Sequence, residues 1–420
     1  MARILVTAMP FAGHVAPITG VVSQLIARGH DVAVYTGSRY LARFEALGAQ
    51  PIPWMAAPDF DEQDLRATFP EVGRRGPMGL LANLESVFIR TASDQARDLL
   101  AAHSATPFDV IAGDVMSVGA SLFAELTGVP WATLSIVPLS LPSPELPPPG
   151  LALHPGRGAL GRARDGLLRR VVRTASRRLD RAMRSERESL GLPQGEPFDR
   201  ALYSSRLVIL TGSPSLDYPR SDLGPQFEYV GRLAPADLTS IATPGWWGEL
   251  LDPGCPVVLV TQGTYNIDPT DLLRPALTGL ADREALVLGT TVGIALPGVL
   301  PANARLADRL DFAAVLPHVK VLITNGGWGG VLEALSHGVP LIVAGGDLDK
   351  PDIAARVAWS KSGLDLRSGR PSAPAVHRAY DRIASDSSFA LRAQQIGHEL
   401  QSLGGAGRAA QLIAGLAERA

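Results

Sequence analysis

The chain has 420 residues, which is long for one compact core and favours two domains. Its formal net charge of −2 lacks the basic footprint of nucleic-acid-binding proteins, so we expect no nucleic acid among its partners. The single cysteine, Cys255, excludes an intramolecular disulfide and a thiolate metal cluster, and the apolar stretches are too broken to span a bilayer, so we predict a cytoplasmic protein without stable membrane insertion.

The first predicted strand ends close to a Gly-His pair. Residues 3–9, RILVTAM, form a short apolar run that indicates a buried strand, and apolar residues at helical spacing follow up to Gly29. His14 therefore lies at the turn from strand to helix. In open α/β sheets this turn is at the carboxyl edge, where ligands bind, so His14 is a candidate site residue.

Predicted strands alternate with predicted helices along almost the whole chain. This alternation indicates an α/β protein whose parallel sheets are covered by helices on both faces. In the first half, strands are predicted at 3–9, 31–35, 108–113, 131–135 and 206–211. In the second half, they are predicted at 256–261, 284–289, 320–324 and 340–344.

Stretches rich in proline, glycine and serine indicate the loops and the domain boundary. Residues 138–150 contain too many prolines for a helix or a central strand, so we predict a long loop near the mouth of a ligand cleft. Residues 213–250 are predicted to be the interdomain linker. The remaining units are then two domains, 1–212 and 251–385, and C-terminal helices over 386–420, for which packing back on the first domain is one option.

The segment 157–187 is rich in arginine and is predicted to be an amphipathic helix or a pair of helices. Apolar residues at roughly helical spacing are expected to form its underside, and they are Leu167, Leu168, Val171, Val172, Leu179 and Met183. A solvated basic face is the plain interpretation. Contact with an anionic membrane surface or an acidic partner is the alternative.

Three glycine-containing turns follow predicted strands of the second half, at 261–266 (TQGTYN), 324–338 (TNGGWGGVLEALSHG) and 344–358 (AGGDLDKPDIAARVA). A helix N-terminus has unpaired N–H groups and a partial positive charge, so such turns suit the phosphates of a nucleotide. Tight structural turns are the alternative for each one alone. The chain lacks GxGxxG after its first strand and lacks GxxxxGK[ST], which speaks against a dinucleotide dehydrogenase and a nucleoside triphosphatase.

Glu333 lies seven residues after Gly326, about two turns along the predicted helix. A carboxylate at this position can accept hydrogen bonds from both hydroxyls of a ribose whose phosphates occupy the glycine turn. A solvent-facing helix glutamate is the alternative.

These motifs resemble the family 1 glycosyltransferases, in the bacterial branch that modifies macrolides and other natural products. The resemblance covers nearly the whole length, and it is carried by GHVAP, the YVG at 229–231, the TQGT turn and NGGWGGVLEALSHGVPLIV followed by DKPDIAARV. It implies the GT-B fold, in which two Rossmann-like parallel-sheet domains face each other across a cleft. The first domain would bind the acceptor and the second the nucleotide-sugar donor.

The resemblance implies that His14 is the general base that removes the proton from the acceptor hydroxyl. Asp114, at the end of the predicted strand DVIAG, would hold the imidazole tautomer and stabilise its charged form. Parallel strands can bring both side chains to one edge of a sheet, and a neutral imidazole suits proton removal near neutral pH. A structural histidine and a simple cap are the alternatives.

The donor would contact the second domain. Gly326, Gly327, Gly329 and Gly330 would lie beside the diphosphate, with Gly263 and Thr264 on the neighbouring turn. Glu333 would bind the ribose and Asp349 the hydroxyls of the sugar.

Two residues depart from the family pattern. Asn325 stands where histidine is usual, and its amide can still donate to a phosphate but cannot become cationic. Lys350 stands where glutamine is usual, and a cation there can pair with Asp349, contact a phosphate or bind an unusual sugar substituent. Both departures concern the donor, and uracil and thymine bases are left undistinguished.

We therefore predict an inverting, metal-independent transferase without a cofactor, which moves a sugar from a UDP- or dTDP-sugar to a hydroxyl of a hydrophobic small molecule. A sugar-nucleotide epimerase and a catalytically silent binding homologue that partners an active transferase are the alternatives. A homodimer is left open. The residues expected to line the acceptor site are Phe11, Trp54, Phe60, Met78 and Met116, together with the 138–150 loop.

Overall fold

A computed structural model describes residues 1–73, 76–236, 241–263 and 268–419. Within these residues the chain forms two parallel sheets, each with helices on both faces, which confirms the predicted α/β class. Strands covered on both faces are buried, and this explains why most of them read as continuous apolar runs.

The first sheet has the strand order β3-β2-β1-β4-β5-β6-β7. Its strands are β1 (Arg3–Thr7), β2 (Asp31–Thr36), β3 (Gln50–Pro53), β4 (Val110–Asp114), β5 (Trp131–Ser135), β6 (Leu207–Thr211) and β7 (Phe227–Gly231). Its helices are α1 (Ala12–Ala27), α2 (Ser38–Glu45), α3 (Leu65–Thr68), α4 (Pro77–Asn83), α5 (Ala92–Ala105), α6 (Val118–Thr127), α7 (Gly158–Ser189) and α8 (Phe198–Ala201). A π-helical turn, Leu84–Ile89, lies between α4 and α5 in the chain.

The second sheet has the order β10-β9-β8-β11-β12-β13. Its strands are β8 (Val257–Thr261), β9 (Leu286–Thr290), β10 (Ala304–Ala307), β11 (Val319–Thr324), β12 (Leu341–Val343) and β13 (Gly363–Asp365). The helices of this half and of the C-terminus are α9 (Trp247–Leu251), α10 (Leu273–Gly279), α11 (Phe312–Val315), α12 (Trp328–Ser336), α13 (Lys350–Trp359), α14 (Ala373–Ser385), α15 (Ser388–Ser402) and α16 (Gly405–Glu418).

Each sheet has a point at which the strand order reverses, and there two neighbouring strands come from distant parts of the chain. In the first sheet this point lies between β1 and β4, and in the second between β8 and β11. Loops that leave such a pair diverge to opposite faces and open a crevice at the carboxyl ends of the strands, where ligands of α/β proteins bind. The candidate site residues follow these strands.

Four strands were not predicted from the sequence, and each is at an edge of a sheet. They are β3 and β7 in the first sheet and β10 and β13 in the second. An edge strand has one neighbour and less burial, so its sequence does not need a continuous apolar run. Because β7 pairs with β6, the first part of the predicted linker 213–250 belongs to the first sheet.

The C-terminal helices divide between the two halves of the molecule. α15 packs on α12 of the second sheet, whereas α16 packs on α1 and places Ala409, Ile413 and Leu416 in the core of the first sheet. The end of the chain is therefore a second connection between the two halves.

The arginine-rich segment is a single helix of 32 residues, α7. Leu179 and Met183 are buried, but Leu167 and Val171 are exposed, so the predicted apolar underside is limited to the second half of the helix. Arg178 pairs with Glu85 of the π-helical turn. No helix in the described part of the chain is both long enough and apolar enough to cross a bilayer.

Candidate active site

The centre of the first-domain site is a hydrogen bond between His14 and Asp114. His14 is in the first turn of α1, just after β1, and Asp114 is the last residue of the neighbouring β4. The distance from His14 Nδ1 to Asp114 Oδ2 is 2.7 Å. The backbone N–H groups of Met9 and Met116 also donate to this carboxylate, at 2.9 and 3.0 Å. Because Asp114 acts as the acceptor, the Nδ1 proton stays on the imidazole and Nε2 is left to accept a proton.

The electrostatic surroundings favour the protonated form of His14. Burial acts to lower the pKa of His14, but the charge of Asp114 and its hydrogen bond outweigh burial and raise the pKa above 6.5. Asp349 and Glu62 contribute smaller increases. Glu62 also accepts from the backbone N–H of Ala12 at 2.9 Å, so it satisfies an otherwise unpaired donor at the start of α1.

Aromatic rings line the side of His14 that faces the first domain. The ring of Phe11 lies 5.6 Å from that of His14, 5.2 Å from Phe60 and 5.8 Å from Phe88, measured between centroids. Phe11 and Phe88 are partly exposed and can meet an apolar molecule beside the imidazole.

Two residues predicted to contact the acceptor belong instead to the core. Trp54 and Phe60 are only 5% and 6% exposed, and Trp54 stacks on Tyr35 at 5.7 Å. We call the partly exposed rings of Phe11 and Phe88 the aromatic wall. Phe60 packs on Phe11, and Trp54 packs on Phe60, so both support the wall from behind. Buried aromatic rings stabilise such packing through their large apolar area. Met78 is exposed and Met116 is partly buried beside Asp114, so both stay candidates for the acceptor site.

The glycines of the second domain surround the start of α12. Gly327 and Gly329 are exposed, Gly330 is partly exposed, and a Cβ added to any of them would meet no atom within 4 Å. The residue at the N-cap of this helix is Gly327, which has no side chain to cap it. The N–H groups of its first turn therefore lie next to open space, an arrangement that binds anions.

Asn325 joins two donor-site turns. Its side chain is buried, and its Nδ2 donates to the carbonyl oxygen of Gln262, which precedes Gly263 on the turn after β8. This hydrogen bond uses one of the amide's two N–H groups, and the contact of Asn325 with a phosphate stays a prediction. Thr264, predicted to contact a phosphate, lies outside the described residues.

Glu333 accepts a hydrogen bond from Arg232 of the first half of the chain. The distance from Arg232 Nη2 to Glu333 Oε1 is 2.6 Å. Burial raises the pKa of the Glu333 carboxyl, and the charge of Arg232 opposes this rise. The two residues connect the end of β7 to α12, and the ribose contact of Glu333 stays a prediction.

The Asp349 loop, residues 344–349, lies between β12 and α13. Lys350 Nζ pairs with Asp347 at 3.0 Å, so the direct ion pair is made with Asp347 and not with Asp349, which was one predicted alternative. Burial raises the pKa of the Asp349 carboxyl, and the nearby charge of Lys350 lowers it in part.

The two candidate half-sites belong to sheets that are joined by a hydrogen bond between Trp328 and Thr211. The charge of Asp349, in the second domain, raises the pKa of His14 in the first, so the carboxylate and the imidazole lie within electrostatic reach. Trp328 at the start of α12 also donates from Nε1 to Thr211 Oγ1 at 2.9 Å, which holds the two sheets together at this level.

Comparison with known proteins identifies the family. Residues 280–406 match the family described as Erythromycin biosynthesis protein CIII-like, C-terminal domain. The 4'-demethylrebeccamycin synthase of Lentzea aerocolonigenes is 38% identical over 424 residues, which cover 99% of each chain. The chain belongs to the family 1 glycosyltransferases.

Other glycosyltransferases are also similar to this chain in sequence or in structure. The demethyllactenocin mycarosyltransferase of Streptomyces fradiae is 27% identical and the match covers 99% of this chain and 87% of that one. The crystal structure of the calicheamicin glycosyltransferase CalG4 aligns over 100% of this chain and 99% of its own, with a TM-score of 0.75 and 22% identity. The glycosyltransferase VinC, solved in complex with dTDP, aligns over 100% of both chains with a TM-score of 0.70 and 20% identity. The structural likeness confirms the predicted GT-B fold.

Three residues of the glycosyltransferase site were not found by the sequence analysis. Glu62 supports the start of α1, Phe88 extends the aromatic wall, and Arg232 holds Glu333. Each lies outside a recognisable motif and reaches its partner only through the fold. The π-helical turn that carries Phe88 is a feature often found at functional sites, but it has no simple sequence signal.

Proposed function

We propose that this glycosyltransferase moves a sugar from a dTDP- or UDP-sugar to a hydroxyl group of a hydrophobic small molecule, with inversion at the anomeric carbon. The observation that carries the proposal is the oriented His14–Asp114 pair, which lies within electrostatic reach of Asp349 beside the glycine turn of α12. Its similarity to a 4'-demethylrebeccamycin synthase and a demethyllactenocin mycarosyltransferase supports sugar transfer to a natural product.

In the proposed reaction the acceptor lies against Phe11 and Phe88 with its hydroxyl next to His14 Nε2. The imidazole accepts the hydroxyl proton while the oxygen forms a bond to the anomeric carbon. The bond from that carbon to the diphosphate oxygen breaks on the opposite face, and its electron pair leaves with the diphosphate. Asp114 stabilises the imidazolium that results.

The leaving diphosphate is proposed to sit at the N-terminus of α12. The free N–H groups and the helix dipole would stabilise its negative charge without a metal ion, because they are fixed before the reaction begins. Asp349 would accept hydrogen bonds from hydroxyls of the donor sugar. Lys350 is proposed to hold Asp347 and so to shape the Asp349 loop.

The donor class can be tested by thermal denaturation with nucleotides. We expect UDP or dTDP to raise the melting temperature by several degrees, because a ligand at about 100 times its Kd stabilises the folded state by about 2.7 kcal/mol. GDP at the same concentration is the control and should give a smaller shift. Equal shifts with all three nucleotides, or none, would contradict a specific nucleotide site. Binding without any sugar transfer to a panel of hydrophobic acceptors would favour the silent homologue.

Alanine substitutions at two glycines around the start of α12 should distinguish an effect on folding from an effect on nucleotide binding. Gly326 has φ +90°, and a Cβ there would lie 2.8 Å from Val343 Cγ1, so Gly326→Ala should lower the free energy of unfolding by about 1–3 kcal/mol. A Cβ at Gly329 meets open space, so Gly329→Ala should leave stability unchanged or slightly higher and still weaken nucleotide binding. Denaturant unfolding and calorimetric Kd values for both variants measure the two effects. Unchanged nucleotide affinity in Gly329→Ala would place the diphosphate elsewhere.

A further inference from the structure

A loop of the first domain is bound to the first turn of α13. Asp352 is the third residue of α13, and its carboxylate accepts two backbone N–H groups from the proline-rich loop. Oδ2 lies 2.6 Å from the N of Gly150, and Oδ1 lies 2.6 Å from the N of Ala152. We call these three residues the Asp352 strap.

Backbone strain occurs both in the strap and in the Asp349 loop. Ala152 has φ 52°, and Leu348, in the Asp349 loop, has φ 54°. A residue other than glycine in this region costs free energy and keeps its conformation only when its surroundings impose it. The strained positions therefore indicate that the two loops are held in one arrangement.

Further contacts hold α13 against the first domain. His154 Nε2 donates to the carbonyl oxygen of Ala355 at 3.0 Å, two residues beyond Ala152 on the same loop. Arg356 is buried and donates to Asp217 at 2.9 Å and to the carbonyl oxygen of Leu139 at 3.0 Å. The proline-rich loop thus contacts three successive parts of α13, and the strap is the contact nearest its N-terminus.

The strap holds the helix that directly follows Asp349, the residue proposed to contact the donor sugar. α13 begins at Lys350, directly after Asp349, and a helix moves as a rigid unit. The position of the first turn of α13 therefore determines the position of Asp349. We propose that Asp352 is a positioning residue, which uses a loop of the acceptor-side domain to place the Asp349 loop against the donor sugar. This inference rests on the proposed function, in which Asp349 contacts the sugar.

The proposal separates two parts of the donor. The proposed diphosphate site at the start of α12 follows β11 and lies beside the turn after β8, and the two hydrogen bonds of the strap are made to neither turn. Loss of the strap should therefore weaken the binding of a nucleotide sugar and leave the binding of the nucleotide diphosphate unchanged. A general loss of folding would weaken both.

The experiment compares calorimetric Kd values of UDP, UDP-glucose, dTDP and dTDP-glucose for the wild-type chain and its variants. For the base that the wild type prefers, Asp352→Ala should raise the Kd of the sugar nucleotide about tenfold and that of the nucleotide less than about twofold. Asp352→Asn keeps one acceptor oxygen and should give an intermediate loss. Asp352→Asn also keeps the size of the side chain, so it should disturb the fold of α13 less than Asp352→Ala does. Asp381→Ala removes an exposed carboxylate of the second domain that pairs with Arg283, and it should change neither Kd.

The outcomes can be told apart. Equal changes in both Kd values, or no change in the Kd of the sugar nucleotide with Asp352→Ala and Asp352→Asn, would overturn the positioning role and leave the proposed function intact. If Asp352→Ala does not fold, the Kd values of Asp352→Asn decide the question. A wild-type chain that binds neither UDP nor dTDP would overturn the proposed function and this inference with it.

Discussion

We expect His14→Ala to lower kcat for sugar transfer by about 10²–10⁴-fold, because the acceptor hydroxyl would lose the group that accepts its proton. His14 is in the first turn of α1, 2.7 Å from Asp114, and Nε2 is the only ring nitrogen left to take a proton. Steady-state kinetics with the donor identified by thermal denaturation, and with a hydrophobic acceptor that the wild type uses, would measure the loss.

Nucleotide binding is the control for this variant. The diphosphate site is formed by the second sheet, so the Kd of UDP or dTDP should change less than about twofold in His14→Ala. His14→Gln preserves more of the side-chain volume and should be equally inactive, because an amide does not accept the proton. A variant that kept its full transfer rate would show that another group is the base.

Asp114→Asn should lower kcat by a similar factor and also shift the pH profile. An asparagine amide can donate to His14 Nδ1, which favours the tautomer with the proton on Nε2, and that tautomer cannot act as the base. Asp114 raises the pKa of His14 whereas burial lowers it, so removing the charge leaves burial dominant.

The sign of the pH shift follows from these causes. Transfer needs neutral His14, so the rate in the wild type should rise through a pKa above 6.5 as the pH increases. In Asp114→Asn the residual activity should rise through a lower pKa, and the acidic limb of kcat/KM against pH should move to lower pH. An unchanged acidic limb would mean that a group other than His14 controls it. Asp94→Asn, which alters an exposed pair with Arg97 on α5, is a matched control and should leave the profile unchanged.

The central strands could be predicted from the sequence because burial on both faces demands apolar residues at every position. Thus β1, β4, β8 and β11 are clear in the sequence, and the turns after them could be recognised as candidate sites. The edge strand β3, with the sequence QPIP, lacks this signal, because its pairing with β2 depends on the rest of the sheet being in place.

The same division holds for the site. Local sequence placed His14 and Asp114 each at the end of a strand, and the family motif indicated the glycine turn. Their 2.7 Å contact joins residues 100 positions apart and exists because β1 and β4 are neighbours in the sheet.

The partners of the donor-site residues were decided by tertiary structure alone. Lys350 pairs with Asp347, Asn325 binds the backbone of Gln262, and Asp352 holds a loop about 200 residues earlier in the chain. Loop conformation and the meeting of the two domains select these contacts, and neither leaves a periodic pattern in the sequence. The sequence by itself determined the fold class, the family and the ends of the central strands, because these depend on local burial and motifs. The tertiary structure decided which side chain meets which, because those contacts depend on strand order and domain packing.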